Sequence, residues 1–238
     1  MVHYFVGQSD SLDVEVTGMD HDEAQMRMQE IQRIMERATL WTILPGTSAI
    51  IGGVMVLLGC LVSCFMFRSI KNPHFAMIDF ASLLELSLNA QIAFCVMWFL
   101  IGIGGIGAEI HFAQVQAKKQ GIAPKGRSAK LAFYSLTPGV IIAMVLTVKF
   151  LVPAELRTHE IQYIAPVWMM LYGTGVYTAG LFSVRAPRIL GMVFIAAGVI
   201  SIHFFQQYGV VTTGLSFGLF HIAFGLYVIG KRRAGLAR

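Results

Sequence analysis

The sequence predicts an all-α, polytopic membrane protein with six transmembrane helices. Three observations lead to this prediction: the composition, the length of the apolar segments and the distribution of basic residues. Of the 238 residues, 56% are hydrophobic and only 13% are charged, whereas a soluble domain holds roughly 45–50% apolar and about 25% charged residues. So little charge does not cover the surface of a water-soluble globule. This excludes a soluble enzyme, a disordered chain and a nucleic-acid-binding domain.

Six apolar segments are long enough to cross a bilayer as helices, which takes roughly 20 residues for about 30 Å of hydrocarbon. The predicted spans are Ile43–Phe67, Asn89–Phe112, Leu131–Val152, Ile164–Val184, Ile189–Phe205 and Val211–Gly230. A hairpin at Gln206–Gly209 is expected between the last two, with Gly209 as the turn residue. One helix through both of these segments would be longer than a bilayer is thick.

The basic residues predict the orientation. With the N-terminus inside, 14 of the 18 Lys and Arg residues fall in segments on the cytoplasmic side. The other four are Arg68, Lys71, Lys149 and Arg157. Because basic loops stay in the cytoplasm, we expect both termini there. The longest outer segment is expected to carry a short helix over Ala76–Leu88.

The chain is predicted to have three parts: a cytoplasmic acidic tail and amphipathic helix (1–42), the membrane domain (43–230) and a basic cytoplasmic tail (231–238). In the first part, a narrow apolar stripe recurs at spacings of three and four residues, which favours a helix that ends near Leu40. A Glu23–Arg27 ion pair one turn apart would stabilise it. The helix either lies on the membrane or docks a partner protein through Met28, Ile31 and Met35.

Few ionisable residues fall inside the predicted spans, and each of these is a candidate functional residue. His221 lies near mid-depth and needs a polar partner there, with Tyr172, Tyr177 and Ser216 available. His203 lies nearer the outer end of its span, so that one metal shared by both histidines is not expected. The predicted ligand-binding residues are therefore His221, Tyr172, Tyr177 and His203. The alternative is that His221 only locks helix packing.

Other polar and sulfur-containing residues are interpreted as packing or boundary residues. Glu109 and His111 lie at the cytoplasmic end of span two, where a charged group reaches the interface. Cys60 and Cys64 share one helix face, as a Cu(I) site would require, or are small buried apolar residues. The glycines of spans two, four and six suit close helix contacts. No catalytic signature is present, so neither a catalytic residue nor a metal site is predicted.

Several short motifs carry a resemblance to a group of uncharacterised bacterial integral membrane proteins of similar length. They are Met35-Glu36-Arg37, Leu171-Tyr172-Gly173, Arg188-Ile189-Leu190-Gly191 and, in span six, Gly214, Phe217-Gly218, His221-Ile222 and Gly225. The likeness covers most of the membrane region. It implies a six-helix fold in a bacterial cytoplasmic (inner) membrane and no particular activity.

Three functions fit these observations. The first is a membrane sensor, scaffold or assembly subunit without a catalytic site, bound to a cytoplasmic partner or to further copies of the chain. The second is a small transporter or channel for a neutral or lipophilic solute. The third is a haem or quinone subunit of electron transfer. Apart from the lipid bilayer no ligand is specified by the sequence, and no cofactor is assigned.

Overall fold

A computed structural model of the chain describes residues 23, 25–29, 46–67, 79–119, 127–151, 160–181 and 185–236. These ranges are helical almost throughout, and none of their residues lies in a strand. The chain divides into two units, residues 1–40 and residues 41–238. In the first unit, Glu23 and residues 25–29 are helical. The expected ion pair is present there, since Arg27 lies 2.7 Å from the Glu23 carboxylate.

The second unit is built from helices that follow the predicted spans closely. The long helices are α1 (Gly46–Phe67), α2 (Leu88–Lys119), α3 (Arg127–Leu151), α4 (Ile164–Leu181) and α5 (Arg185–Ile200). Beyond α5 the chain continues through α6 (Gly209–Thr213) and α7 (His221–Leu236). Two π-helical segments, Ser201–Phe205 and Gly214–Phe220, flank α6. Short 3₁₀ helices occupy Phe80–Glu85, Glu160–Tyr163 and Gln206–Tyr208.

Four helical segments in the described part of the chain are long and apolar enough to cross a membrane. They are Gly46–Phe67, Leu88–Gln116, Phe133–Leu151 and the 51-residue run Arg185–Gly235. Helix α4 is not among them; its 18 residues include three glycines, two threonines and two tyrosines. The protein is thus a helical one with several candidate spans, and the count of six stays a prediction.

The 51-residue run is not one straight rod. The rings of Phe194 and Phe217 are only 5.0 Å apart, whereas 23 residues of straight α-helix extend about 35 Å. The chain reverses at the 3₁₀ turn Gln206–Tyr208, where Phe205 and Tyr208 leave helical geometry with φ of −131° and −105°.

Gly209 is not the turn residue that the sequence predicts. Gly209 has ordinary right-handed helical dihedrals, φ −53° and ψ −42°. The glycine is needed for space instead, because a Cβ placed on it would lie 2.6 Å from the ring of Phe80. The short 3₁₀ helix of the preceding loop packs at this place. It is shorter than the helix expected over Ala76–Leu88, and residues 76–78 lie outside the described ranges.

Close contacts at glycines set the antiparallel pairing of the helices. A Cβ on Gly53 would lie 2.6 Å from the carbonyl oxygen of Gly218, so that α1 runs against the end of the chain. Likewise a Cβ on Gly173 would lie 2.8 Å from the Gly191 carbonyl oxygen, so that α4 runs against α5. Helix α1 also packs along α2, and α4 along α3. In lipid, such small residues let helix backbones approach closely.

A fully apolar cluster closes the end of the bundle where α1 ends and α2 begins. It contains Phe67, Phe80, Leu83, Phe94, Ile161 and Val210, all with less than a tenth of their surface exposed. The 3₁₀ helix that supplies Phe80 and Leu83 is capped by Asp79, whose Oδ1 accepts a hydrogen bond of 3.0 Å from the Ala81 N–H. Burial raises the pKa of Asp79, and the hydrogen bond from Ala81 opposes this rise.

Candidate functional site

The polar centre of the bundle is a hydrogen bond between two residues that the sequence analysis singled out. The phenol oxygen of Tyr172 on α4 lies 2.7 Å from Nε2 of His221 on α7. An imidazole in hydrocarbon needs such a partner, because an unsatisfied polar group there costs several kcal/mol. Ser216, another predicted partner, instead donates to the Thr212 carbonyl at 2.6 Å.

Two phenylalanine rings pack against both partners of this hydrogen bond. The Tyr172 ring lies 5.0 Å from Phe194 and 5.2 Å from Phe217. The imidazole is stacked parallel to Phe217 at 6.3 Å and meets the edge of Phe194 at 5.3 Å. Phe194 is fully buried. Since aromatic pairs of this geometry contribute about 0.5–1.5 kcal/mol each beyond their buried area, the rings fix the positions of both polar groups.

The backbone is irregular directly before His221. Residues Gly214–Phe220 form a π-helical segment, and the His221 N–H bonds to the Gly218 carbonyl. Inserted π-helical segments are rare and are found frequently at functional sites. The second ring nitrogen of His221, Nδ1, is buried without a hydrogen-bond partner of ordinary geometry. It faces the backbone of Phe217 and Ser216.

A second polar contact joins α1 to α2. The Ser48 hydroxyl donates a short hydrogen bond to Oε2 of Glu109. The sequence pattern predicts only a boundary position for Glu109. The signal that could have found this contact is the antiparallel alignment of the first two spans about the loop between them, which places Ser48 and Glu109 at one level.

The two polar contacts lie close to each other in the bundle. Gly46 and Gly53 on α1 face Gly225 and Gly218, so Ser48 lies within about one helical turn of His221 along the axis. The Glu109 carboxylate is also near enough to the Tyr172 phenol to interact with it electrostatically. Ser48, Glu109, Tyr172 and His221 are together called the polar cluster below.

The other two predicted ligand-binding residues are not in the polar cluster. Tyr177 lies on α4 with 36% of its surface exposed, and its backbone packs on Gly191. His203 is exposed, and its Nδ1 lies 2.8 Å from the Val199 carbonyl of its own helix. The structure therefore brings together Tyr172 and His221 but not Tyr177 and His203. Of the three predicted partner-binding residues, Met28 is 61% exposed, while Ile31 and Met35 lie outside the described residues.

The thiols do not form a metal site in the part of the chain that is described. Cys60, Cys64 and Cys95 are free, and the buried Cys60 Sγ donates to the Val210 carbonyl at 3.5 Å. No three His, Cys, Asp or Glu side chains converge among the described residues. What the polar cluster offers chemically is a set of proton donors and acceptors enclosed by aromatic rings.

These properties are those of an α-helical membrane protein with a buried polar cluster. Comparison with protein-family models, with curated proteins and with solved structures finds no match to this chain. The assignment of a function therefore depends on the geometry of the chain itself.

Proposed function

We propose that the chain is a six-span protein of the bacterial cytoplasmic membrane, with both termini in the cytoplasm. In this proposal it acts as a sensor, scaffold or assembly subunit without a catalytic site. The observation that carries the proposal is the Tyr172–His221 hydrogen bond. The bond joins two helix groups, which also contact each other through the rings of Phe194 and Phe217.

The two groups follow from the helix pairing. One group consists of α1 with α2 and α7, and the other of α4 with α3 and α5. Tyr172 belongs to the second group and His221 to the first, so their bond holds the groups in one relative position. A polar contact in lipid can be lost at a cost of only about 0.6–2 kcal/mol. The two helix groups could therefore adopt two relative arrangements, one with this bond and one without it. A ligand or partner that binds one arrangement better would shift the equilibrium between them.

The six-span count is supported by the reversal at Gln206–Tyr208 and by the pairing of α4 with α5. Its test is labelling of single cysteines, in a variant without Cys60, Cys64 and Cys95, by a reagent that does not cross membranes. Cysteines placed at residues 72, 156 and 207 should react from outside, and those at residues 122 and 183 only after the membrane is opened. Labelling of residues 183 and 207 from the same side would contradict the six-span topology.

The docking role is tested at two methionines of the N-terminal helix, one on the predicted apolar stripe and one off it. Met26 and Met28 are equally exposed, at 62% and 61%, but only Met28 lies on the stripe. A photo-reactive amino acid at position 28 in native membranes should cross-link to one other protein or to a second copy of the chain. The same group at position 26 is the matched control. Equal products from both positions, or products with lipid alone from position 28, would contradict docking through this face.

A further inference from the structure

Glu109 is a carboxylate in the bundle whose polar contact is with an uncharged residue. It accepts a hydrogen bond from Ser48, and the ion pair found in the described part of the chain is Arg27 with Glu23, in the N-terminal unit. Around Glu109, helix α2 exposes apolar side chains such as Ile106 and Ile110. Both side chains lie within the candidate span Leu88–Gln116, so they face lipid rather than water when the chain is in a membrane.

The groups that face Glu109 leave little to balance a negative charge. Helix α1 contributes the Ser48 hydroxyl, and the Tyr172 phenol of α4 is near enough to interact with the carboxylate. The hydrogen-bond partner of that phenol is the imidazole of His221 on α7. From α5, the apolar ring of Phe194 packs on the rings of Tyr172 and His221. The titratable groups of the polar cluster are thus Glu109, Tyr172 and His221, and none of them carries a permanent positive charge.

An ionised carboxylate in such surroundings is unfavourable unless a cation or water accompanies it. The neutral acid avoids this cost and still accepts the hydrogen bond from Ser48. Loss of its proton would require water to enter between α1 and α2, or a proton to bind His221 as compensation. Protonation of His221 converts Nε2 from an acceptor into a donor, so a phenol that donates to it must turn round. The second response therefore reverses the direction of the Tyr172–His221 bond.

We propose that Glu109 is a proton-binding site of the bundle, occupied when the Tyr172–His221 bond is formed, and that release of its proton weakens this bond. The proton leaves the carboxyl oxygen for water and no covalent bond between heavy atoms changes. This inference rests on the proposed sensor function, because it names the proton as the ligand that shifts the two helix groups. It assigns Glu109 the role of ligand site and Tyr172–His221 the role of response element.

Infrared spectroscopy of the purified full-length chain in lipid vesicles tests the proposal, with the proton as the only ligand varied. The stretching band of a protonated carboxyl group should be present near neutral pH and vanish as the pH is raised. The band should be absent from Glu109→Gln and kept in Glu85→Gln, which removes an exposed glutamate of the loop before α2. A carboxyl region that is the same in wild type and Glu109→Gln at every pH would overturn the proposal.

Two further measurements are needed. The first applies if Glu109→Gln does not fold, and the second tests the coupling between Glu109 and the Tyr172–His221 bond. Ser48→Ala keeps the carboxyl group but removes its donor, so the band should shift in frequency; an unshifted band overturns the assignment. The ¹⁵N resonance of His221 Nε2 should change with pH together with the carboxyl band, and a constant resonance overturns the coupling. Cross-linking at Met28 is independent of the infrared and NMR measurements. A captured partner together with a carboxyl band that does not titrate would refute only this inference. A titrating band without a captured partner would refute only the docking role.

Discussion

The phenol oxygen of Tyr172 and Nε2 of His221 lie 2.7 Å apart and join helix α4 to helix α7. Tyr172→Phe keeps the ring, which packs on Phe194 and Phe217, but leaves the imidazole nitrogen without a partner. We expect the free energy of unfolding to fall by about 1–3 kcal/mol, measured by thermal or denaturant unfolding in detergent. The matched control is Tyr177→Phe on the same helix, which should be unchanged. Equal stability of Tyr172→Phe and wild type would show that the bond does not hold the helices.

A double-mutant cycle separates this bond from the packing of the two rings. His221→Leu alone leaves the Tyr172 hydroxyl unsatisfied, while the pair Tyr172→Phe with His221→Leu removes both polar groups at once. Because an unpaired buried group costs more than two absent ones, the double variant should be more stable than the sum of the single losses predicts. The expected coupling energy is about 0.5–2 kcal/mol. Strict additivity of the two losses would contradict a direct bond.

Part of this site could be predicted from the sequence and part could not. A histidine at mid-depth needs a polar partner, and this identified His221 and a short set of candidates. Tyr172 could not be chosen over Tyr177 or Ser216, because the choice depends on the rotation of α4 relative to α7. Gly173 meets α5 at Gly191 and Gly218 meets α1 at Gly53, and sequence spacing alone does not say which helix each glycine meets.

The pairing of α1 with the end of the chain is tested by two neighbouring glycines. A Cβ on Gly53 would lie 2.6 Å from the Gly218 carbonyl oxygen, whereas a Cβ on Gly52 meets nothing within 4 Å. Gly53→Ala should therefore lower the free energy of unfolding by about 1–3 kcal/mol, the usual cost of overpacking. Gly52→Ala, the control, should be neutral or slightly stabilising, since alanine favours a helix. Thermal unfolding of both variants decides, and the opposite order would refute this helix pairing.

The pairing of α3 with α4 depends on a different kind of contact. The Trp168 indole N–H donates to the Thr147 hydroxyl at 2.7 Å. Thr147→Val keeps the shape of the side chain but leaves the indole unpaired, so we expect a loss of about 1–2 kcal/mol in unfolding experiments. Thr174→Val is the control, because the Thr174 hydroxyl bonds to the Met170 carbonyl of its own helix. A loss of similar size in both variants would mean that the effect does not come from the bond to Trp168.

The sequence was more informative about the helices than about how they meet. Apolar length predicted segments that agree with α1, α3 and α5 to within a few residues, because the hydrocarbon thickness sets that length. It underestimated α2, which continues to Lys119 as a helix beyond its apolar part. The prediction that Gly209 is the turn residue was also wrong, because this glycine has helical dihedrals and makes room for the ring of Phe80. Both differences come from contacts or exposure that a hydropathy pattern does not contain.

The last prediction concerns the capped loop that covers the apolar end of the bundle. Because burial raises the pKa of Asp79, the folded state binds this proton more tightly than the unfolded state does. The contribution of Asp79 to stability is therefore largest below the carboxyl pKa of the unfolded chain, and it declines as the pH rises through the folded-state pKa. Asp79→Asn keeps an oxygen that can accept from Ala81 but has no proton to lose, so its unfolding temperature should depend less on pH between acidic and neutral conditions.

Two further variants separate charge from capping in the same loop. Asp79→Ala removes the hydrogen bond to Ala81 and should cost about 1 kcal/mol at every pH, because the 3₁₀ helix that positions Phe80 and Leu83 begins there. Glu85→Gln changes an exposed carboxylate at the other end of the same 3₁₀ helix and serves as the control for a general charge effect. If Asp79→Asn and wild type show the same slope of unfolding temperature against pH, the desolvation of Asp79 is not a source of pH dependence. If Glu85→Gln alone flattens the slope, the titrating group is at the exposed end of the loop instead.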